Sequence, residues 1–193
     1  TPDFNRVLPK GLDGVKPFKA PKLRYQGPAV ERPLVYLSVF PGTNCDYNSA
    51  KAFHKAGAQT RFGVFRNLTE QDMLDSIATM KQDIDACQIL MLSGGFSSGD
   101  EPDGSGKFIA NVLNNREIAS AIEALLARGG LILGICNGFQ ALVKSGLLPY
   151  GALGKVTKDS PTLFRNDINR HISQMVTTRV ASTNSPWLAG MAI

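Results

Sequence analysis

Residues 131–140 read Leu131-Ile132-Leu133-Gly134-Ile135-Cys136-Asn137-Gly138-Phe139-Gln140. A short apolar run ends in a cysteine, and a helix-forming stretch, residues 137–145, begins directly after it. A continuous apolar segment of this length fits a strand buried on both faces, as in a parallel sheet. Three more segments share its texture. Leu34-Val-Tyr-Leu-Ser-Val-Phe40 is closed by Pro41-Gly42; Thr60 to Phe65 is a second strand; Ile89-Leu-Met-Leu92 ends in Ser93-Gly94-Gly95. Helical patterns fill the gaps. Asp46 is placed to cap a helix with Ala50, Phe53 and Ala56 on its apolar side and Gly57 as its stop. Thr69 caps a helix carrying Met73, Ile77 and Met80, with Asp72 in a weak capping box. Residues 107–115 form a helix, and a longer one from Arg116 to Arg128 aligns Ile118, Ile122 and Leu125. Strands alternating with helices predict an α/β fold. It should be a doubly wound, flavodoxin-like, mostly parallel sheet with right-handed crossovers. After about residue 150 the texture changes. The β-branched stretch Gln174-Met-Val-Thr-Thr-Arg-Val180 predicts an antiparallel excursion there.

The rest of the composition narrows the class. With 193 residues and 43% hydrophobic content, the chain can build one sizeable core. No apolar run approaches the roughly 20 residues of a membrane-spanning helix. The formal charge of +5 hints at nucleic acid until it is located. Residues 1–32 hold Arg6, Lys10, Lys16, Lys19, Lys22, Arg24 and Arg32 against Asp3, Asp13 and Glu31, which places +4 there. The other 161 residues are nearly neutral, so no nucleic-acid partner is expected. Five prolines and three glycines in the same segment read as an extended linker or arm from an upstream domain, with the folded domain spanning 33–193. Cys45, Cys87 and Cys136 are widely spaced and odd in number. They predict no disulfide framework, no zinc site and a reducing, cytoplasmic compartment. His54 and His171 form no ligand cluster, and no metal is expected.

In an open parallel sheet, ligands bind beyond the carboxyl ends of the strands. Cys136 stands at such an end, between a strand and a helix and flanked by Gly134 and Gly138. That is the thiol form of a nucleophile elbow. The helix N-terminus favours thiolate, and N–H groups after the cysteine can donate to an oxyanion. Cys45 and Cys87 read instead as small buried hydrophobes. Ser93-Gly94-Gly95-Phe96-Ser97, at a second strand end, can turn N–H groups toward a ligand and supply the other half of an oxyanion hole. A phosphate loop over Gly99–Lys107 fails in register. The pattern needs glycine where Glu101 stands and Ser or Thr where Phe108 stands. Asp100 and Glu101 read as a solvated loop.

Gly134-Ile-Cys-Asn-Gly-Phe-Gln140 resembles the nucleophile motif of the class I glutamine amidotransferases. Its Asn-Gly-Phe-Gln continuation is similar to one branch, the glutaminase part of phosphoribosylformylglycinamidine synthase in purine biosynthesis. Phe40-Pro-Gly-Thr-Asn-Cys-Asp46, Gly94-Gly-Phe-Ser-Ser-Gly-Asp100 and the stretch from Arg165-Asn166 to Trp187 resemble the same branch. The resemblance implies that Cys136 attacks the side-chain amide of L-glutamine, forms a thioester and releases ammonia. It implies an oxyanion hole of the main-chain N–H groups of Gly95, Phe96 and Asn137, with Gln140 and Asn166 in the glutamine pocket. It also implies a synthetase domain, of the same polypeptide or complex, that takes the ammonia and uses ATP and Mg2+. No cofactor is expected in this domain. Two departures stand out. The family stretch usually reads Asn-x-Ser-x-Arg-Phe, whereas here Ile168 and His171 occupy the third and last of those positions. The family's base is a histidine in a His-x-Glu pair, but two residues after His54 and His171 stand Ala56 and Ser173. The resulting expectation is a polypeptide that continues past Ile193 to a His and a Glu, with this fragment alone inactive. The competing readings are a non-catalytic docking domain of the same fold and another cysteine hydrolase of the same architecture.

Overall fold

The computed structural model describes residues 29–99, 106–163, 166–180, 183 and 185–188. Residues 27–167 form one compact unit, which holds every α-helix and strand below. The described residues from 168 onward belong to a second unit. Its described part carries one 3-10 turn, Pro186–Leu188.

The elements are β1 (Leu34–Val39), α1 (Asp46–Lys55), β2 (Gln59–Val64), α2 (Glu70–Ala86), β3 (Ile89–Leu92), α3 (Lys107–Leu113), α4 (Arg116–Ala127), β4 (Leu131–Gly134) and α5 (Asn137–Ser145). The four strands make one sheet in the order β2-β1-β3-β4, every neighbouring pair parallel. Val35 pairs with Ile89, and Leu92 with Gly134. These are the first four places of the flavodoxin-like order, and its switch point lies between β1 and β3. The predicted α/β architecture is therefore the observed one. β1 and β3 are central, and Val35, Leu37, Leu90, Met91 and Leu92 are fully buried. Each such side chain contributes about 1.5–3 kcal/mol by leaving water. α4 turns Ile118, Ala121, Ile122 and Leu125 inward and packs against α2, while α3 packs against α5.

The differences from expectation have physical causes. β2 is an edge strand, so Gln59 and Arg61 face solvent and it is not apolar throughout. Its Arg61 reaches Asp83 of α2 at 2.9 Å. Cys45, not Asp46, is the N-cap residue of α1, and Asp46 sits in the first turn. Thr69 caps α2 as expected, its Oγ1 accepting from Asp72 N–H at 3.0 Å. α3 stops at Leu113 because Asn115 is claimed by the next helix, where its side chain accepts from Glu117 N–H at 3.0 Å. Among the described residues after 150 no strand forms, and residues 171–180, where the antiparallel excursion was expected, belong to none. β-branched side chains favour extended backbone, but a strand exists only against a ladder partner. Residues 1–28, Asp100, Glu101 and Arg165 lie outside the described residues.

Candidate functional site

The chain leaves β4 through Ile135, whose N–H donates to Leu92 O at 3.1 Å, and so holds β4 to β3 for one more residue. Cys136 follows at φ 53°, ψ −112°, a region that L-residues avoid. Such strain costs about 1–3 kcal/mol and persists only where the surroundings fix it. Here Gly138 N–H donates to Ile135 O at 2.9 Å and Gln140 N–H to Cys136 O at 3.0 Å, which closes the first turn of α5 around the cysteine. Gly138 is required for close approach, because a Cβ at this position would collide with the carbonyl of Leu92. The result is an exposed thiol at the carboxyl edge of the sheet, at the start of a nine-residue helix.

The second strand end is built by two loops. After β3, the chain runs Ser93-Gly94-Gly95-Phe96 into the 3-10 turn Ser97–Gly99. The loop after β1 lies along it. Asn44 N–H donates to Gly94 O at 3.2 Å, Phe96 N–H to Gly42 O at 2.9 Å and Ser98 N–H to Pro41 O at 3.0 Å. Thr43 and Gly95 form an isolated antiparallel bridge. Gly42 adopts φ +93° and faces the carbonyl of Phe96 so closely that a side chain there has no room. Thr43 Oγ1 steadies the same loop by accepting from Phe40 N–H at 3.0 Å.

These bonds correct one assignment. The Phe96 N–H already donates to Gly42, so it is not open to an oxyanion in this arrangement. The Gly95 N–H has no partner among the described residues and remains a candidate donor. Cys136 and Gly94 are neighbours: a Cβ on Gly94 would stand 3.3 Å from Cys136 Cβ. Asn137 is almost fully buried, at 1% exposure. Its Oδ1 accepts from Ser97 N–H at 3.2 Å, and its Nδ2 donates to Gln140 Oε1 at 3.1 Å. Gln140 is thus brought into the cluster. Asn166 is exposed on irregular chain, and its role rests on the motif alone.

Cys45 was also misread. It is exposed, not buried, and its Sγ would lie 3.4 Å from a Gly94 Cβ. It shares the placement that singled out Cys136, between a strand's carboxyl end and a helix. The expectation holds for Cys87, which is fully buried, and burial pushes its thiol up from 9.0 to about 11. Ser97 adds a feature with no sequence signal: its hydroxyl is buried and has no hydrogen-bond partner among the described residues. Among the described residues, His54 makes its contact away from this cluster. His54, in α1, has its Nε2 2.7 Å from Thr60 Oγ1, and His171 lies in the second unit. A cavity of about 360 Å3 elsewhere, lined by Lys107, Lys144 and Lys158 among others, does not include Cys136, Gly95 or Gln140. No helix among the described residues is long and apolar enough to cross a membrane.

The chain has recognisable relatives. It is 35% identical over 154 residues to the phosphoribosylformylglycinamidine synthase subunit PurQ of Helicobacter hepaticus, covering 79% of this chain and 56% of that protein. The corresponding subunit of Roseobacter denitrificans is 36% identical over 152 residues, covering 79% and 55%. That of Dehalococcoides mccartyi is 38% identical over 109 residues, covering 56% and 38%. The chain thus spans about half the length of these curated relatives. A solved structure described as PurLQS from Thermotoga maritima aligns with a TM-score of 0.42 at 30% identity, covering 61% of this chain and 46% of that one. A family profile, the CobB/CobQ-like glutamine amidotransferase domain, matches residues 32–193. The strained cysteine elbow and the glycine turn beside it are therefore features of a chain that belongs to the CobB/CobQ-like glutamine amidotransferase domain family.

Proposed function

We propose that Cys136 is the nucleophile of a glutaminase that supplies ammonia to a phosphoribosylformylglycinamidine synthase. The observation that carries this reading is the backbone of Cys136, held at positive φ between β4 and α5 with its thiol exposed beside Gly94 and Gly95. The relatives, each named as a subunit of that synthase, support this reading.

In this reading Cys136 Sγ attacks the side-chain amide carbon of L-glutamine. The carbonyl oxygen becomes an oxyanion, and main-chain N–H groups of Gly95 and Asn137 stabilise it. Preorganised donors of this kind are worth about 3–4 kcal/mol each. Collapse breaks the C–N bond and releases ammonia, leaving a γ-glutamyl thioester that water hydrolyses to glutamate. Both halves need proton transfer, which calls for a general base and acid. No residue described here is assigned that role. Gln140, on the first turns of α5, and Asn166 contact the bound glutamine. ATP and Mg2+ belong to the synthetase partner, which turns over the formylglycinamide ribonucleotide. Cytoplasmic residence is part of this reading, and the three free thiols are consistent with it.

The test is glutamine hydrolysis by the full-length polypeptide with its synthetase partner, in wild type and Cys136→Ala. Glutamate release that disappears with the substitution supports the reading. Glutamate release unchanged in Cys136→Ala refutes it.

A further inference from the structure

We propose that the Asn137 side chain is a positioning residue that fixes the polarity of Gln140, so that Gln140 offers hydrogen-bond donors to the substrate. The inference rests on reading Cys136 and Gln140 as parts of a glutamine site. It starts from a group whose direction is certain. A peptide N–H can only donate, and Ser97 N–H lies 3.2 Å from Asn137 Oδ1. The oxygen of that amide is therefore the acceptor, and its NH2 must face the other way. The Asn137 NH2 lies 3.1 Å from the Gln140 side chain, so the atom it meets is the Gln140 oxygen. The Gln140 NH2 is then the end turned away from Asn137. Side-chain amides are otherwise ambiguous in direction, but this pair inherits its direction from the backbone.

Burial makes the relay hold. Asn137 is 1% exposed and the bonded Ser97 is 5% exposed, so water is a poor substitute for either partner. Leaving a buried donor unsatisfied costs about 1–3 kcal/mol, which penalises a flip of either amide. The relay also spans two elements. Ser97 belongs to the turn after β3 that carries Gly95, whereas Asn137 and Gln140 open α5 beside Cys136. One buried side chain thus couples the oxyanion turn, the nucleophile's helix and the pocket residue. The consequence is chemical: Gln140 recognises an acceptor oxygen on the substrate, the amide carbonyl or the carboxylate of glutamine.

The experiment is steady-state glutamine hydrolysis by the full-length polypeptide with its synthetase partner, active sites titrated with a glutamine-like electrophile. Asn137→Asp is isosteric and still accepts from Ser97, but places an acceptor against the Gln140 oxygen. Gln140→Glu presents oxygen where NH2 stood. Each is expected to raise KM for glutamine at least tenfold, with a smaller change in kcat per titrated site. A double-mutant cycle of Asn137→Leu with Gln140→Ala should show effects on KM that do not multiply, because each breaks the same relay. Loss of folding alone would lower the titrated fraction and leave KM unmoved. KM within twofold of wild type in Asn137→Asp, or a Gln140→Glu variant that binds glutamine as well as wild type, overturns the proposal alone. A wild type that hydrolyses no glutamine removes it together with the reading of the site.

Discussion

Two cysteines stand at opposite edges of one sheet, and their surroundings differ in every respect that governs reactivity. Cys87 precedes β3, at the amino edge. It is fully buried, its thiol is pushed up to about 11 by burial, and its carbonyl accepts from Arg128 Nη2 at 3.0 Å. Cys136 follows β4, at the carboxyl edge, exposed and in a strained backbone conformation. Residue type is the same; the direction of the strands makes the difference. Entering a parallel strand, the chain can bury a side chain against the preceding helix. Leaving it, the chain must turn into the next helix over an open crevice, which is where ligands reach the sheet. An exposed thiol and a buried one are thus separated by topology before any fine tuning.

That contrast can be broken or sharpened by experiment. The largest effect should be in thiol reactivity. With a small neutral alkylating agent near pH 8, Cys136 should react at least about 100-fold faster than Cys87, which modifies only as the protein unfolds. Peptide mapping over time reads this directly, and comparable rates would break the contrast. Next is the packing that holds the elbow. Gly138→Ala places a methyl group against the Leu92 carbonyl and should destabilise the unit by about 2–4 kcal/mol in denaturant titrations. A loss below about 0.5 kcal/mol would show that the strand and helix can part without cost.

The third effect concerns pH. Below pH 9 Cys87 is protonated whether folded or unfolded and contributes no pH dependence. Between 9.0 and about 11 it ionises when unfolded but not when folded, so stability falls across that window and then levels. The contribution is on the order of 3 kcal/mol. Comparing wild type with Cys87→Ala between pH 8 and pH 11 isolates it, and an identical slope in both would contradict the burial argument. The smallest effect belongs to Ser97. Its hydroxyl is buried without a partner among the described residues, so Ser97→Ala should change stability by less than about 1 kcal/mol, toward stabilisation. A larger loss would reveal a bond that this arrangement lacks.

How much of this is legible in the sequence follows from the range of the forces involved. The sheet, its parallel sense and the Cys136 elbow come from apolar runs and helical periodicity, which are local and set by burial. The Thr69 cap is equally local, because donor and acceptor are three residues apart. Two of the failures are non-local. Gln174–Val180 has strand-like side chains, but pairing depends on a neighbour that composition does not name. The Phe96 N–H looked open because its acceptor, Gly42, is remote in sequence. Cys45 looked like a core residue because free cysteines usually are. Its place after β1 and before α1 was the available signal, since the same placement marked Cys136. The buried role of Asn137 had a weaker signal: an amide at the start of a helix with a second amide three residues on.

The central claim is that Cys136 is the reactive centre of a glutamine site. Its most direct test is labelling with a diazo-ketone analogue of glutamine, followed by peptide mapping of the full-length polypeptide. The account predicts one adduct per chain, on Cys136, slowed by added glutamine and absent in Cys136→Ala. Adduct on Cys45 with Cys136 left unmodified, or labelling that glutamine does not slow, would contradict it.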